Sequence, residues 1–442
     1  TVHTHFFINA HANPESDTQR PTYDPGRLCF VYPFHLVAIY SNLEMYPLLA
    51  LSLATALVTA VCPPEGPVTV DTHAVGCVDL RLTVAASNVT LVIEGASGSI
   101  NVTSDVAGTT LRLLDSTVVG NLTLRGSHAF ADVRRSNVSG ADVIVLAGER
   151  NITISVVDST LTGAVVASVF SGAFDVSIAI TNSTLSATSY AASVVGATIR
   201  DVAIVVIASR FALAGGDNVG VIALAAVTVN NAAVNVTGSS IRCNAAGSVG
   251  VLGVGSSSRG VSWTNVTVSA ASVNVTSTAL GYVGVLGAGC FGGVTWTNVI
   301  VSVERANVTS KADHIVGVLG AASNGGSVTW TNVTISAERA NVTSTAANFV
   351  GVLGAGNDRL MSWTNVTVAA ALATVTSIGE GYAGVLGAGS GNAVSWTNVT
   401  VAAALANVTS TASDFVGVLG AGAGDLDERD RLRGVRQCHV NR

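Results

Sequence analysis

The phrase (V/M)-(S/T)-W-T-N-V recurs at Trp263, Trp296, Trp330, Trp363 and Trp396, in steps of 33, 34, 33 and 33 residues. Each copy is followed by G-V-L-G, beginning at Gly284, Gly317, Gly351, Gly384 and Gly417, and a further G-V-L-G begins at Gly250. A fixed period of this size marks stacked units, none of which can bury its apolar face without its neighbours. It also weakens any catalytic reading, because a residue repeated in every unit serves the stack first.

The repeat extends upstream in a fainter form, seen in Leu111-R-L-L-D-S-T-V118, Ile154-S-V-V-D-S-T-L161 and Ile178-A-I-T-N-S-T-L185. One small residue marks the column: Ser116, Ser136, Ser159, Ser183, Ser209, Ser239, Val273, Ala306, Ala340, Ala373 and Ala406. Its steps are 20, 23, 24, 26, 30, 34, 33, 34, 33 and 33 residues. The units lengthen while the strand core persists, so one edge is expected to grow bulkier along the array. Hydrophobic residues make up 49% of the chain but aromatic ones only 5%, which leaves Val, Ala, Leu and Ile, with Thr and Ser, as strand composition. Short period-two segments divided by Gly, Ser, Asn and Asp recur without a long helical period. Leucine-rich and hexapeptide patterns are absent. The fold class expected is all-β, a parallel β-helix with coils of 20 to 34 residues.

Side-chain alternation assigns faces. Ile152, Ile154, Val266, Val268 and Val275 should face the core, and Asn265, Thr267, Asn274 and Thr276 should face out. The tryptophans have two readings: a buried indole stack, or, by strict alternation from Val266, an outward aromatic ladder able to bind a polysaccharide. Glu304-Arg305 and Glu338-Arg339 lie one period apart and should pair across coils.

The organisation expected is an unstructured leader or gene-model artefact (1–44), a signal peptide or short membrane segment (45–61), an N-terminal cap (62–78), the β-helix (79–422) and a polar tail (423–442). The apolar stretch before Val61 is shorter than the roughly 20 residues a bilayer span needs, and its Val58-Thr59-Ala60 end suits signal-peptidase cleavage. Cys62 and Cys77 flank the segment after that point and are the expected disulfide of an exported protein. Cys243 and Cys290 are separated by a non-integral number of units and should be unpaired.

Fifteen N-x-(S/T) sequons occur, at Asn88, Asn101, Asn121, Asn137, Asn151, Asn182, Asn235, Asn265, Asn274, Asn307, Asn332, Asn341, Asn365, Asn398 and Asn407. Placed on outward strand positions of an exported chain, they are candidate glycosylation sites, partly occupied because neighbours in one column would stand roughly 5 Å apart. The alternative is that N-V-T is outward strand sequence copied with the repeat. A net charge of −6 with one lysine, Lys311, gives no basic face for nucleic acid. No zinc-type Cys/His spacing occurs, and the leader histidines His3, His5, His11 and His35 are unpatterned, so no metal or cofactor is expected. Asp115 and Asp158 fall at matching turn positions, where Asp commonly bonds its own turn. The acids of the tryptophan units lie mostly in variable loops, which argues against the paired carboxylates of a polysaccharide-processing enzyme. Outward threonines such as Thr267, Thr276 and Thr278 suggest an ice-binding face, which the sequons contradict.

The signal-like start, the V-S-W-T-N-V-T and F-V-G-V-L-G-A-G phrases and the sequon density resemble the repeat-rich surface glycoproteins of free-living flagellate protists, over roughly residues 45 to 422. The resemblance implies a membrane-associated protein with a C-terminal anchor, and the polar tail departs from that pattern. It supplies no catalytic residues. The expected function is a secreted or cell-surface glycosylated β-solenoid acting as coat, stalk or adhesin. Its partners would be extracellular glycans or surface proteins. The alternative is a polysaccharide-binding or polysaccharide-processing β-helix.

Overall fold

The structure, a computed structural model, describes residues 62–140 and, with short interruptions, 144–417, together with 431–433 and 437–441. The leader and the apolar stretch 45–61 lie outside the described residues. Strands stack in parallel as a β-solenoid: a 27-stranded sheet, a 15-stranded sheet and a 5-stranded sheet. The described residues contain no helix. Two boundaries differ from those expected. The segment 62–78 is already part of the stack, with Gly66–Val68 pairing Leu82–Val84 and Thr72–Val75 pairing Leu91–Glu94. Cys62 and Cys77 are joined by a disulfide that closes this first coil, their Cα atoms 5.5 Å apart. At the other end, residues 431–433 and 437–441 of the expected polar tail pair in parallel with the 15-stranded and 27-stranded sheets.

A full repeat runs through Val261–Ala271, Asn274–Ala279, Tyr282–Gly284 and Ala288–Cys290 before the next coil opens at Val294. The first and last of these strands lie in the 15-stranded and 5-stranded sheets, the other two in the 27-stranded sheet. The short early coils, such as Thr90–Glu94 followed by Ser97–Ser104, have no counterpart of the 5-stranded sheet. The added residues of the later coils therefore build a third wall and lengthen the first strand to 11 residues, rather than swelling a loop edge. The wider cross-section needs larger side chains to fill it, and the tryptophans appear where it widens.

Trp263, Trp296, Trp330 and Trp363 are wholly buried, and Trp396 nearly so. Successive indoles stack with centroids 4.5 to 5.1 Å apart and planes 4° to 10° from parallel. The outward reading is thus overturned, for a local reason. Two residues separate Trp263 from Val266, so plain alternation cannot turn both inward. Asn265 takes a left-handed φ of 55°, which absorbs one residue and resets the phase. The pairing register skips it: Thr264 pairs Thr297 and Val266 pairs Val299. Asn298, Asn332, Asn365 and Asn398 adopt the same conformation, with φ of 54° or 55°. Asparagine tolerates this region better than other residues with a Cβ, because its short amide bonds locally.

The corner between the first two strands is a second left-handed column. Asp115, Arg135, Asp158, Asn182, Ala208, Gly238, Ser272, Arg305, Arg339, Leu372 and Leu405 have φ between 46° and 58°. Each precedes the small residue that marks the repeat, which is buried beneath the bend. From Ser116 to Ser209 that residue's backbone N–H donates to the hydroxyl of the next coil's serine at 3.1 Å. Each hydroxyl in turn donates to the carbonyl two residues before it, as Ser183 does to Thr181 at 2.7 Å. From Val273 onward apolar residues replace the serines, and the corner relies on backbone bonds such as Asn307 N–H to the Val273 carbonyl. The glycine that closes G-V-L-G marks another close approach: a Cβ on Gly320 would collide with the Gly354 carbonyl.

Candidate functional site

The outer wall of the repeats carries the sequon columns. One column runs through the left-handed kink: Asn265, Asn332, Asn365 and Asn398 are sequon residues, while Asn298 sits in the same place without a sequon because Ile300 follows it. These side chains form a continuous ladder in which Nδ2 of each coil donates to Oδ1 of the preceding coil at 2.9 to 3.1 Å. The ladder continues through Asn231 to the carboxylate of Asp201, at 3.0 Å. Asn88 and Asn151 are also left-handed, and Asn182 occupies a left-handed corner and donates to Asp158 at 2.7 Å.

A second column opens the strands of the 27-stranded sheet. Asn274 pairs Asn307, which pairs Asn341, and the next coils place Thr374 and Asn407 there. Upstream the same column reads Asn137, Thr160, Thr184, Arg210 and Ser240. Asn137, Asn274, Asn307, Asn341 and Asn407 are exposed and have ordinary strand backbone. Asn235 is exposed in mid-strand on the 15-stranded sheet. Asn101 and Asn121 are half-buried, with Asn121 N–H donating to the Asn101 side-chain oxygen at 3.2 Å. The two kinds of sequon site were indistinguishable in sequence, since T-N-V-T and A-N-V-T both alternate.

The other expected side-chain roles change in detail. Arg305 pairs with Glu304 at 2.9 Å and Arg339 with Glu338 at 3.9 Å, so these charges meet their sequence neighbours rather than the adjacent coil. Arg305 and Arg339 are themselves the left-handed residues of the corner, with φ of 50° and 51°. Asp115 does not bond its own turn. It receives Nε and a terminal nitrogen of Arg135 on the next coil, both at 2.6 Å, and these bonds hold its carboxyl below the usual range. Asp158 likewise serves the neighbouring coil through Asn182. Cys243 and Cys290 are buried free thiols, each pushed up to about 12 by burial.

At the corner, the small residues Ala208, Gly238 and Ser272 leave an open depression of about 520 Å³, flanked by Arg210 and Arg305 and edged by Ser240, Asn274 and Asn307. Among the described residues no group of three His, Cys, Asp or Glu side chains converges to hold a metal ion. No described helix is long and apolar enough to cross a membrane. Comparison with protein-family models, with curated proteins and with solved structures gives no match. The repeated outer wall, with its two asparagine columns, is the candidate site.

Proposed function

We propose that this chain is a secreted or cell-surface β-solenoid, glycosylated and non-catalytic, that serves as a coat, stalk or adhesin of the kind its sequence resembles. The observation that carries the reading is the outer wall of the repeats, where the same uncharged Asn, Thr and Ser positions return coil after coil above a mainly apolar interior. A wall of that kind extends a rigid rod and offers many equivalent positions for sugar, whereas catalysis needs one unique convergence of groups. The disulfide of the first coil supports an oxidising compartment.

The test uses the full chain behind its own N-terminal segment in a eukaryotic cell. Surface labelling and N-terminal sequencing are expected to find it outside the cell, beginning near Cys62. A chain retained unmodified in the cytosol removes the reading. A second reading, polysaccharide binding, is favoured by the corner depression, where Arg210 and Arg305 flank hydroxyl and amide donors as an acidic saccharide would require. Titration with acidic and neutral oligosaccharides separates the two: saturable binding lost in Arg210→Ala and Arg305→Ala supports the second.

A further inference from the structure

We infer that the sequons of the kink ladder and of the strand-opening column are chemically distinct, and that sugar is attached to the strand-opening asparagines and Asn235 but not to the ladder asparagines Asn265, Asn332, Asn365 and Asn398. This rests on the export reading above and divides its sites.

The kink column keeps its asparagine whether or not a sequon is present. Asn298 lacks one, Asn231 lacks one, and both hold their place in the ladder. What that position needs is a residue that accepts a left-handed backbone and an amide that both donates and accepts along the solenoid axis. The strand-opening column behaves in the opposite way. Thr374, Ser240, Thr184 and Thr160 occupy it with no change in strand pairing. Asparagine there serves no structural need that the fold displays.

The chemistry of attachment separates the columns. The amide nitrogen bonds to the anomeric carbon of a lipid-diphosphate-linked oligosaccharide. The anomeric C–O bond breaks, the lipid diphosphate departs, and one amide proton passes to a base. In the kink column one of the two Nδ2 hydrogens is given to the preceding coil's oxygen at 2.9 to 3.1 Å, so a sugar can take only the other and must lie against the stacked amides of the neighbouring coils. A chain modified there before folding closes the ladder only if the one remaining hydrogen faces the preceding coil and the sugar finds room beside the stack. At Asn274 and Asn307 the side chains border the open corner depression, with room for a first sugar. Crowding still applies within that column, because adjacent coils are about 4.8 Å apart. Asn274 and Asn307, or Asn307 and Asn341, should not be occupied in the same molecule.

The experiment directs the full chain into the secretory pathway with a heterologous signal sequence, so that failure of its own N-terminal segment to export does not affect the result. Occupancy is mapped by mass spectrometry after enzymatic release of the sugars in heavy-oxygen water. Two variants carry the decision. Ile300→Thr gives Asn298 a sequon in the kink column, and Thr160→Asn, made together with Asn137→Gln, creates one in the strand-opening column. The expected result is a new sugar in the second variant and none in the first, with strand-opening sites occupied at least about tenfold above kink sites, the ratio for a difference of about 1.4 kcal/mol. A sugar on Asn298, equal occupancy of both columns, or no sugar at the new site of Thr160→Asn would each overturn the inference.

Discussion

Replacing Asn332 tests the kink and the ladder separately. The residue sits at φ 55°, donates to Asn298 and accepts from Asn365, both at 3.0 Å. Alanine loses both side-chain bonds, each worth about 0.5 kcal/mol at an exposed site, and must hold a left-handed backbone that costs it roughly 1–2 kcal/mol. The total is about 2–3 kcal/mol. Glycine loses the same bonds but is free of the backbone strain, so Asn332→Gly should cost about 1–2 kcal/mol, with part of that from the greater freedom of its unfolded chain. Urea unfolding followed by tryptophan fluorescence reports on these same coils, because Trp330 and its neighbours are the only tryptophans in the chain. The ordering expected is wild type, then glycine, then alanine. Equal stability of the alanine and glycine variants would refute the left-handed kink as the element that turns Trp330 and Val333 inward together. Wild-type stability in both would remove the ladder as well.

Trp330→Ala should cost about 3–5 kcal/mol by opening a cavity in the middle of the stack, and should also lower the near-UV circular dichroism of the indoles by more than the share of the one indole removed, because two stacked contacts are broken. Val285→Asp should damage folding far more than Thr267→Asp, since Val285 is wholly buried while Thr267 is exposed, and a buried unpaired carboxylate costs several kcal/mol; equal melting temperatures contradict the faces. Gly320→Ala is expected to cost on the order of 1–3 kcal/mol, from its collision with the Gly354 carbonyl, and thermal melting measures it. Cys243 and Cys290, with thiols pushed up to about 12, should resist iodoacetamide at pH 8 in the folded protein and react once urea unfolds it; rapid labelling of the native chain contradicts their burial.

The repeat period and the small-residue column made the solenoid legible in sequence, because stacking in register imposes both on every coil. The inward positions Ile152, Ile154, Val266, Val268 and Val275 followed from simple alternation, and they are buried. Alternation failed at Trp263, where a single left-handed residue shifts the phase, and that conformation leaves no mark beyond an asparagine that also reads as part of a sequon. It failed again at Glu304-Arg305 and at Asp115, because a corner bend decides which neighbour a side chain meets. The third wall was also hidden: the extra residues of the later coils include the short Ala-Gly strands Ala288–Cys290 and Ala388–Ser390, which look like loop by composition.

The end of the asparagine ladder gives it a polarity. A carboxylate has no hydrogen to offer, so Asp201 can only accept, and Asn231 must turn its nitrogen toward it. That leaves the Asn231 oxygen facing the next coil, where it can only receive the nitrogen of Asn265, and the same constraint passes upward to Asn398. One acidic side chain thus orients six amides in a single direction. Their dipoles add, with the positive end at Asp201, in the same sense that an acidic residue complements the start of an α-helix. The rod therefore carries a directional electrostatic axis on a flank with no charge between Asn231 and Asn398 in that column. The negative end points toward the coil that follows Asn398.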